Sequence, residues 1–159
     1  MHIKLISLTS SEYPAWFDNQ SKSYADDKVQ AKQWAKEGAV ERARQETQRF
    51  LTDGLDTPNH HVCHIIDTNS SQRVGTLWWF LSERFGRRVI FIFDLMIDQE
   101  FRRRGYASSA LKELEQIARE EKADALSLHV FAFNQGAYHL YQKLGYITTS
   151  MSMMRELSK

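Results

Sequence analysis

The sequence predicts an α/β domain, a mixed and mostly antiparallel sheet flanked by helices. Three observations predict it. Helical, amphipathic stretches precede His60, three consecutive strand-like runs follow it, and the passage from Val89 to Phe133 reads strand, helix, strand. That last passage is long enough for a crossover that makes its two strands parallel. No repeat, low-complexity tract or Gly/Ser-rich linker divides the chain, and both prolines, Pro14 and Pro58, lie in its first 60 residues. Residues 1–159 are therefore read as a single domain.

Ile3 to Leu8 alternates in part and begins a short strand, after which Ser10-Ser11-Glu12 offers an N-cap for a helix running towards Asp27. A second helix is expected from about Gly38, where Val40, Ala43, Thr47, Phe50 and Leu51 recur at helical spacing and Gly54 follows as a C-terminal cap. His61 to Ile66 and Arg73 to Leu81 form a hairpin about a polar turn at Asn69 to Gln72. Ser82 to Arg88 makes a second connection, and Val89 to Ile97 a third strand. After Gly105, Ala107, Ala110, Leu111, Leu114, Ile117 and Ala118 trace one apolar helical face opposite Lys112, Glu113, Glu115, Arg119 and Glu120. Leu126 to Phe133 is strand-like. Asn134 caps a short helix carrying Ala137, Leu140, Tyr141 and Leu144, Gly145 stops it, and the remainder is strand-like again.

A chain of 159 residues buries roughly 70% of its unfolded surface and needs no staple to fold. Cys63 is the only cysteine, which excludes an intramolecular disulfide framework and multi-cysteine zinc modules and suits a reducing cytosol. The longest apolar runs, Leu77 to Leu81 and Val89 to Phe93, fall far short of the ~20 residues that span a bilayer. No secretory signal pattern is seen in Met1 to Ser10, and a cytoplasmic location is expected. With 21 Lys plus Arg against 20 Asp plus Glu, no global field favours nucleic acid or an anionic membrane.

The sharpest feature is Phe93-Asp94-Leu95-Met96-Ile97-Asp98-Gln99-Glu100-Phe101-Arg102-Arg103-Arg104-Gly105-Tyr106-Ala107-Ser108, which reads strand, loop, helix start. Backbone N–H groups at such a helix start lack intrahelical partners and converge on one volume, where the helix dipole and neighbouring arginines also favour an anion. Gly105 removes a side chain where backbone approaches the anion, and Ala107 and Ser108 keep the first turn uncluttered. The spacing suits a pyrophosphate.

The stretch Arg102 to Ala107 fits the form Arg/Gln-x-x-Gly-x-Gly/Ala, preceded by Leu-x-Ile/Val, and resembles the coenzyme A signature of the GNAT superfamily of N-acetyltransferases. The segment Asn134-Gln135-Gly136-Ala137-Tyr138-His139-Leu140-Tyr141-Gln142-Lys143-Leu144-Gly145-Tyr146 is similar to that superfamily's Asn-x-x-Ala-x-x-Leu-Tyr-x-x-x-Gly-Phe/Tyr. The resemblance covers about Val74 to Leu157. Gln99 stands where the family often has Pro, and Ala107 where it has a second Gly.

The resemblance implies the GNAT acyl-coenzyme A N-acyltransferase fold and acetyl-coenzyme A as acyl donor, with no metal. Arg102, Arg103, Arg104, Gly105, Tyr106, Ala107 and Ser108 would then receive the pyrophosphate. Leu95, Met96 and Ile97 would meet pantetheine and the acetyl group through backbone amides, and Asn134, with Ala137 and Tyr141 on the same helix, would line the pantetheine arm. The implied chemistry is direct attack of a neutral amine on the thioester. The oxyanion needs a fixed donor, for which a backbone N–H at Met96 or Ile97 serves if the strand is splayed or bulged there. The leaving thiolate needs a proton, and Tyr141 lies at the family's position for a general acid. The amine, an ammonium of pKa about 10, needs a base: His129, Asp94 and a water chain are the candidates.

His60, His61, Cys63 and His64 form the one metal-like cluster, yet strand alternation sends His60 and His64 to one face and His61 and Cys63 to the other. Cys63 as a nucleophile would need a base beside it on its face and a depressed pKa, and the adjacent His64 points away. Trp78, Trp79, Phe80, Phe85, Phe91 and Phe93 lack the interleaved basic residues of a nucleic-acid surface, and Arg84, Arg87 and Arg88 read as a solvated hairpin tip. The expected partners are a coenzyme A thioester and an amine acceptor, neither nucleic acid nor membrane, with a homodimer left open. A non-catalytic acyl-coenzyme A binding module is the alternative from another class.

Overall fold

The computed structural model describes residues 2–158. In chain order it consists of β1 (Ile3–Ser7), α1 (Tyr13–Gln30), α2 (Ala39–Phe50), β2 (His60–Asp67), β3 (Gln72–Arg84), β4 (Arg87–Ile97), α3 (Tyr106–Glu120), β5 (Ala125–Leu128) and α4 (Gln135–Lys143). The five strands lie in sequence order in one sheet. β1 to β4 pair antiparallel, and β5 runs parallel to β4, the geometry expected of the strand, helix, strand crossover.

One face of the sheet is covered by α3. Ala110, Leu111, Leu114 and Ala118 pack there on Ile65, Leu77, Trp79, Ile90 and Ile92. The other face carries α1 and an aromatic cluster in which Trp16 meets Trp78 edge-on at 5.5 Å and Phe93 stacks on Trp78 at 4.4 Å. Strand alternation accounts for the division: Trp79 faces α3 while its neighbour Trp78 faces α1. The same alternation sends His60 and His64 towards α1, where His64 Nε2 lies 2.8 Å from Glu12 Oε2, and turns His61 onto Trp79.

Several elements differ from the sequence-based expectation. The N-cap of α1 is Glu12, the last residue of the expected Ser10-Ser11-Glu12 cap, but its side chain turns back instead of capping the helix: the Thr9 N–H and hydroxyl both donate to Glu12 Oε1 at 2.8 Å. The buried face of α2 is Ala39, Ala43 and Thr47, while Val40 and Phe50 are exposed. Small residues are needed there because α1 lies close by, with Ala25 in the same cluster and the Thr47 hydroxyl donating to Gln20 Oε1 at 2.9 Å. Leu51, not Gly54, closes α2, and Gly54 instead opens a single 3-10 turn at φ +57°.

The connection between β3 and β4 is two residues, Phe85 and Gly86, at φ +53° and +74°. Both central residues in the left-handed region make the tight turn that matches strand twist, so the strands run on to Arg84 and from Arg87. β5 ends at Leu128 instead of continuing to Phe133, and residues 146–158 contain no strand. The early end of β5 follows from β4. The register between β3 and β4 shifts between Trp78 and Trp79, leaving Phe93 as an extra residue. Such a bulge bends its strand, and pairing with β5 stops at Ile92 opposite Leu128.

Candidate active site at the parting of β4 and β5

Beyond Ile92 the C-terminal half of β4 is paired on one side only. The Asp98 N–H donates to the Val74 carbonyl at 2.9 Å, and the Met96 carbonyl also faces β3, since a Cβ on Gly75 would lie 2.1 Å from its oxygen. In an extended strand the N–H and C=O of alternate residues point to the same side. The amides of Leu95 and Ile97 therefore face the gap. The Ile97 carbonyl accepts from Arg102 Nε at 2.8 Å across that open edge. Of the two amides named from the sequence as oxyanion donors, Met96's is directed to β3 and Ile97's to the gap.

The loop that follows is held by Arg73, whose Nη2 lies 2.7 Å from Asp98 Oδ2, and by the 3-10 turn Gln99–Phe101. Arg103 and Gly105 adopt φ +61° and +88°. Gly105 is the N-cap of α3 and has no side chain to cap it; the first bond into the helix is Ser109 N–H to the Gly105 carbonyl at 3.0 Å. Nothing lies within 4 Å of where a Gly105 Cβ would be. The start of α3 thus opens on free space rimmed by exposed Arg102, Arg103 and Arg104, with Ala107 and Ser108 half-buried behind it. This arrangement fits a pyrophosphate. Tyr106 points elsewhere: its hydroxyl donates to Asp67 Oδ2 at 2.8 Å, pinning α3 to the end of β2.

Asn134 caps α4, its Oδ1 accepting from the Ala137 N–H at 3.3 Å, so this side chain serves the helix it was expected to start. Tyr141 and Leu140 pack from α4 against the α3 side of the core. Burial, with the Asp94 charge behind it, raises the Tyr141 phenol above its usual range, keeping it protonated at neutral pH. Asp94 itself, half-buried at the bulge, is pushed up to about 7 by burial and by Asp27. Asp27 lies in the last turn of α1 and is itself raised, by burial and then by Asp26. His129, just past β5, is exposed; partial burial of its ring and the charge of Lys28 lower its pKa.

The helices between Glu12 and Leu51 were expected from the sequence to help build the acceptor pocket, and the charges of Asp27 and Lys28 at the end of α1 act on Asp94 and His129. Asp27 and Lys28 reach Asp94 and His129 only through packing, and no local spacing signals that. Among the described residues no group of three His, Cys, Asp or Glu is disposed to hold a metal. Two shallow hollows, of about 430 and 420 Å³, lie on α2 and beside α3 and do not include Asp94 or Tyr141.

The sequence profile of the Acetyltransferase (GNAT) family matches residues 13–146. Two uncharacterized N-acetyltransferases of Bacillus subtilis (strain 168) are similar over 99% of this chain: YycN at 35% identity, over 100% of its own length, and YdgE at 31%, over 99%. The crystal structure of YycN superimposes with a TM-score of 0.94 at 34% identity, covering 99% of this chain and 100% of that one. A Pyrococcus furiosus protein at 19% identity, covering 98% of this chain and 100% of its own, has a TM-score of 0.69 and shares the fold alone. With the profile spanning most of its length and two full-length relatives above 30% identity, the chain belongs to the GNAT acetyltransferase family.

Proposed function

We propose that this protein transfers an acetyl group from acetyl-coenzyme A directly to the neutral form of a primary amine, on a small molecule or a protein, with Asp94 as base and Tyr141 as acid. Family membership implies the acyl-coenzyme A donor, which supplies the activated thioester. Support for the rest comes from one observation: a basic group, an acidic group and an unpaired strand edge meet where β4 leaves β5.

Arg102 to Arg104 and the first amides of α3 would hold the pyrophosphate, leaving pantetheine to follow the open edge of β4. There the Ile97 and Leu95 amides supply hydrogen bonds, one of them to the oxygen on which negative charge develops. Asp94, titrating at about 7, is ionised in part at neutral pH and takes a proton from the incoming ammonium, freeing the lone pair for attack. The new C–N bond forms as the C–S bond breaks. Tyr141, whose raised pKa keeps its proton, delivers it to the departing sulfur and regains one from the nitrogen, which sheds its second proton as the amide forms. His129 is the weaker base candidate, because it is exposed and Lys28 disfavours the imidazolium that proton uptake would create.

No helix in the described residues is long and apolar enough to cross a membrane, and the single, buried Cys63 suits a reducing, cytoplasmic setting. The deciding experiment is calorimetric titration with acetyl-coenzyme A, followed by thiol release across a panel of amines and peptides. Acceptor-dependent thiol is expected. Tyr141→Phe is expected to bind the donor as the parent does and to turn over roughly 10²-fold more slowly. Binding with no acceptor-dependent thiol would overturn the catalytic reading in favour of a binding module.

A further inference from the structure

The bulge in β4 sets two successive side chains on one face of the sheet. Phe93 stacks on Trp78 at 4.4 Å, and Asp94 is the register partner of Trp78. Cross-strand partners share a face, so the proposed base lies beside an aromatic ring on the α1 side. The rings continue along that face. Phe91, the partner of Phe80, meets Phe93 at 4.8 Å. His60, the partner of Phe80 on β2, stacks on it at 4.4 Å, and Phe50 at the end of α2 reaches Phe93 at 4.8 Å. The two helices leave this row partly uncovered: Phe50 is 48% exposed and the other four are only half-buried.

On β5, Ser127 is the partner of Phe91, so alternation turns His129 to the same face, in keeping with the Lys28 charge that acts on it. The Phe131 ring meets His129 at 4.8 Å and stacks on Phe133 at 5.5 Å. Aromatic rings thus stand on both sides of the place where β4 and β5 part. The row on β4 also carries a hydrogen-bond donor. The Trp78 indole N–H donates to His60 Nδ1 at 3.0 Å, and a ring nitrogen that accepts carries no proton, so this imidazole is neutral with its proton on Nε2. Burial, and then His61, lowers the His60 pKa and keeps that form. Nε2 has no hydrogen-bond partner among the described residues.

We propose that the acceptor is a primary amine with an aromatic ring a few bonds from its nitrogen, its ammonium at Asp94 and its ring on Phe93, Phe91 and Phe80. A polar substituent on that ring is received by His60 Nε2. This reading rests on the acetyl transfer proposed above and narrows its acceptor. Two carboxylates at one end, Asp94 and Asp27, favour a cation. The rings at the other end favour a flat apolar group, which gains stacking in addition to burial. The match is to a molecule charged at one end and aromatic at the other.

Calorimetric titration of the coenzyme A-saturated protein with phenethylamine, tyramine, cyclohexylethylamine and propylamine tests the recognition without turnover. Phenethylamine is expected to bind at least about 10-fold more tightly than propylamine, and roughly 3-fold more tightly than cyclohexylethylamine, whose ring is not flat. Tyramine, with its phenol oxygen, is expected to bind more tightly still, a preference lost in His60→Phe. Thiol release from acetyl-coenzyme A is expected to rank the amines by kcat/KM in the same order. A tripeptide beginning with phenylalanine repeats the spacing from amine to ring, so its rate against that of phenethylamine tells a peptide N-terminus from a free amine as the source. Phe91→Leu, which keeps the apolar volume, is expected to raise the KM for phenethylamine more than that for propylamine. Equal affinity of the parent protein for phenethylamine and propylamine would overturn the aromatic acceptor, whether or not the variants fold. Selective binding of the aromatic amines with no thiol released from any of them would instead overturn acetyl transfer and leave the ring recognition standing.

Discussion

Asp94 shows what one side chain gains from its surroundings. An aspartate in water is ionised well below neutrality; burial at the bulge, with Asp27 nearby, lifts this one to about 7. As the proposed base, it predicts a kcat/KM that climbs with pH and levels off above about 7. Asp94→Asn is expected to remove that limb and lower kcat/KM by roughly 10²-fold or more, read from a pH profile of thiol release. The same shift has a consequence for stability, with a definite sign. Because the folded carboxyl holds its proton more tightly than the unfolded one, the folded state binds more protons between the two pKa values, and this group's contribution falls as pH rises through that window. Asp94→Asn mimics the protonated form. It is expected to stabilise the protein at pH above about 7, by an amount on the order of a few kcal/mol, and to do little below the usual carboxylate range. Thermal unfolding of both proteins at the two extremes of pH measures the difference.

At the scale of the element, the proposed function divides the work of holding the donor between the start of α3 and the edge of β4. Gly105 sits at φ +88° with open space over its missing Cβ, so a side chain there meets no protein atom but enters the volume assigned to the pyrophosphate and strains the cap. Gly105→Glu is expected to abolish acetyl-coenzyme A binding in calorimetry while the circular dichroism of the fold is retained. The start of this helix was legible in the sequence, because a helix opening after a glycine is carried by local spacing. The same holds for α4, whose cap at Asn134 follows from one residue and its neighbours. The bulge at Phe93 was not legible as such: nothing in Phe91 to Asp94 marks an extra residue, and only the register against Trp78 and Trp79 exposes it.

Across the whole molecule, the site is assembled by packing α1 onto the sheet. Trp16 against Trp78 and the Ala25, Ala39 and Ala43 contact set where α1 ends, and so bring Asp27 to Asp94 over a long stretch of chain. Removing that neighbouring charge eases ionisation, so Asp27→Asn is expected to move the rising limb of the pH profile below about 7, still above the ordinary carboxylate range because burial is the larger cause. An unmoved limb would separate α1 from the chemistry. By itself the sequence determined the strand meander, the parallel crossover, the helix that starts after Gly105 and the α4 cap, because alternation, helical spacing and capping are short-range rules read from adjacent residues. Only the tertiary structure decided where β5 stops, which amides of β4 stay free, which residues of α1 act on Asp94 and His129, and that residues 147–158 lie unpaired. Those outcomes depend on register and on contacts between distant segments, which no local pattern encodes.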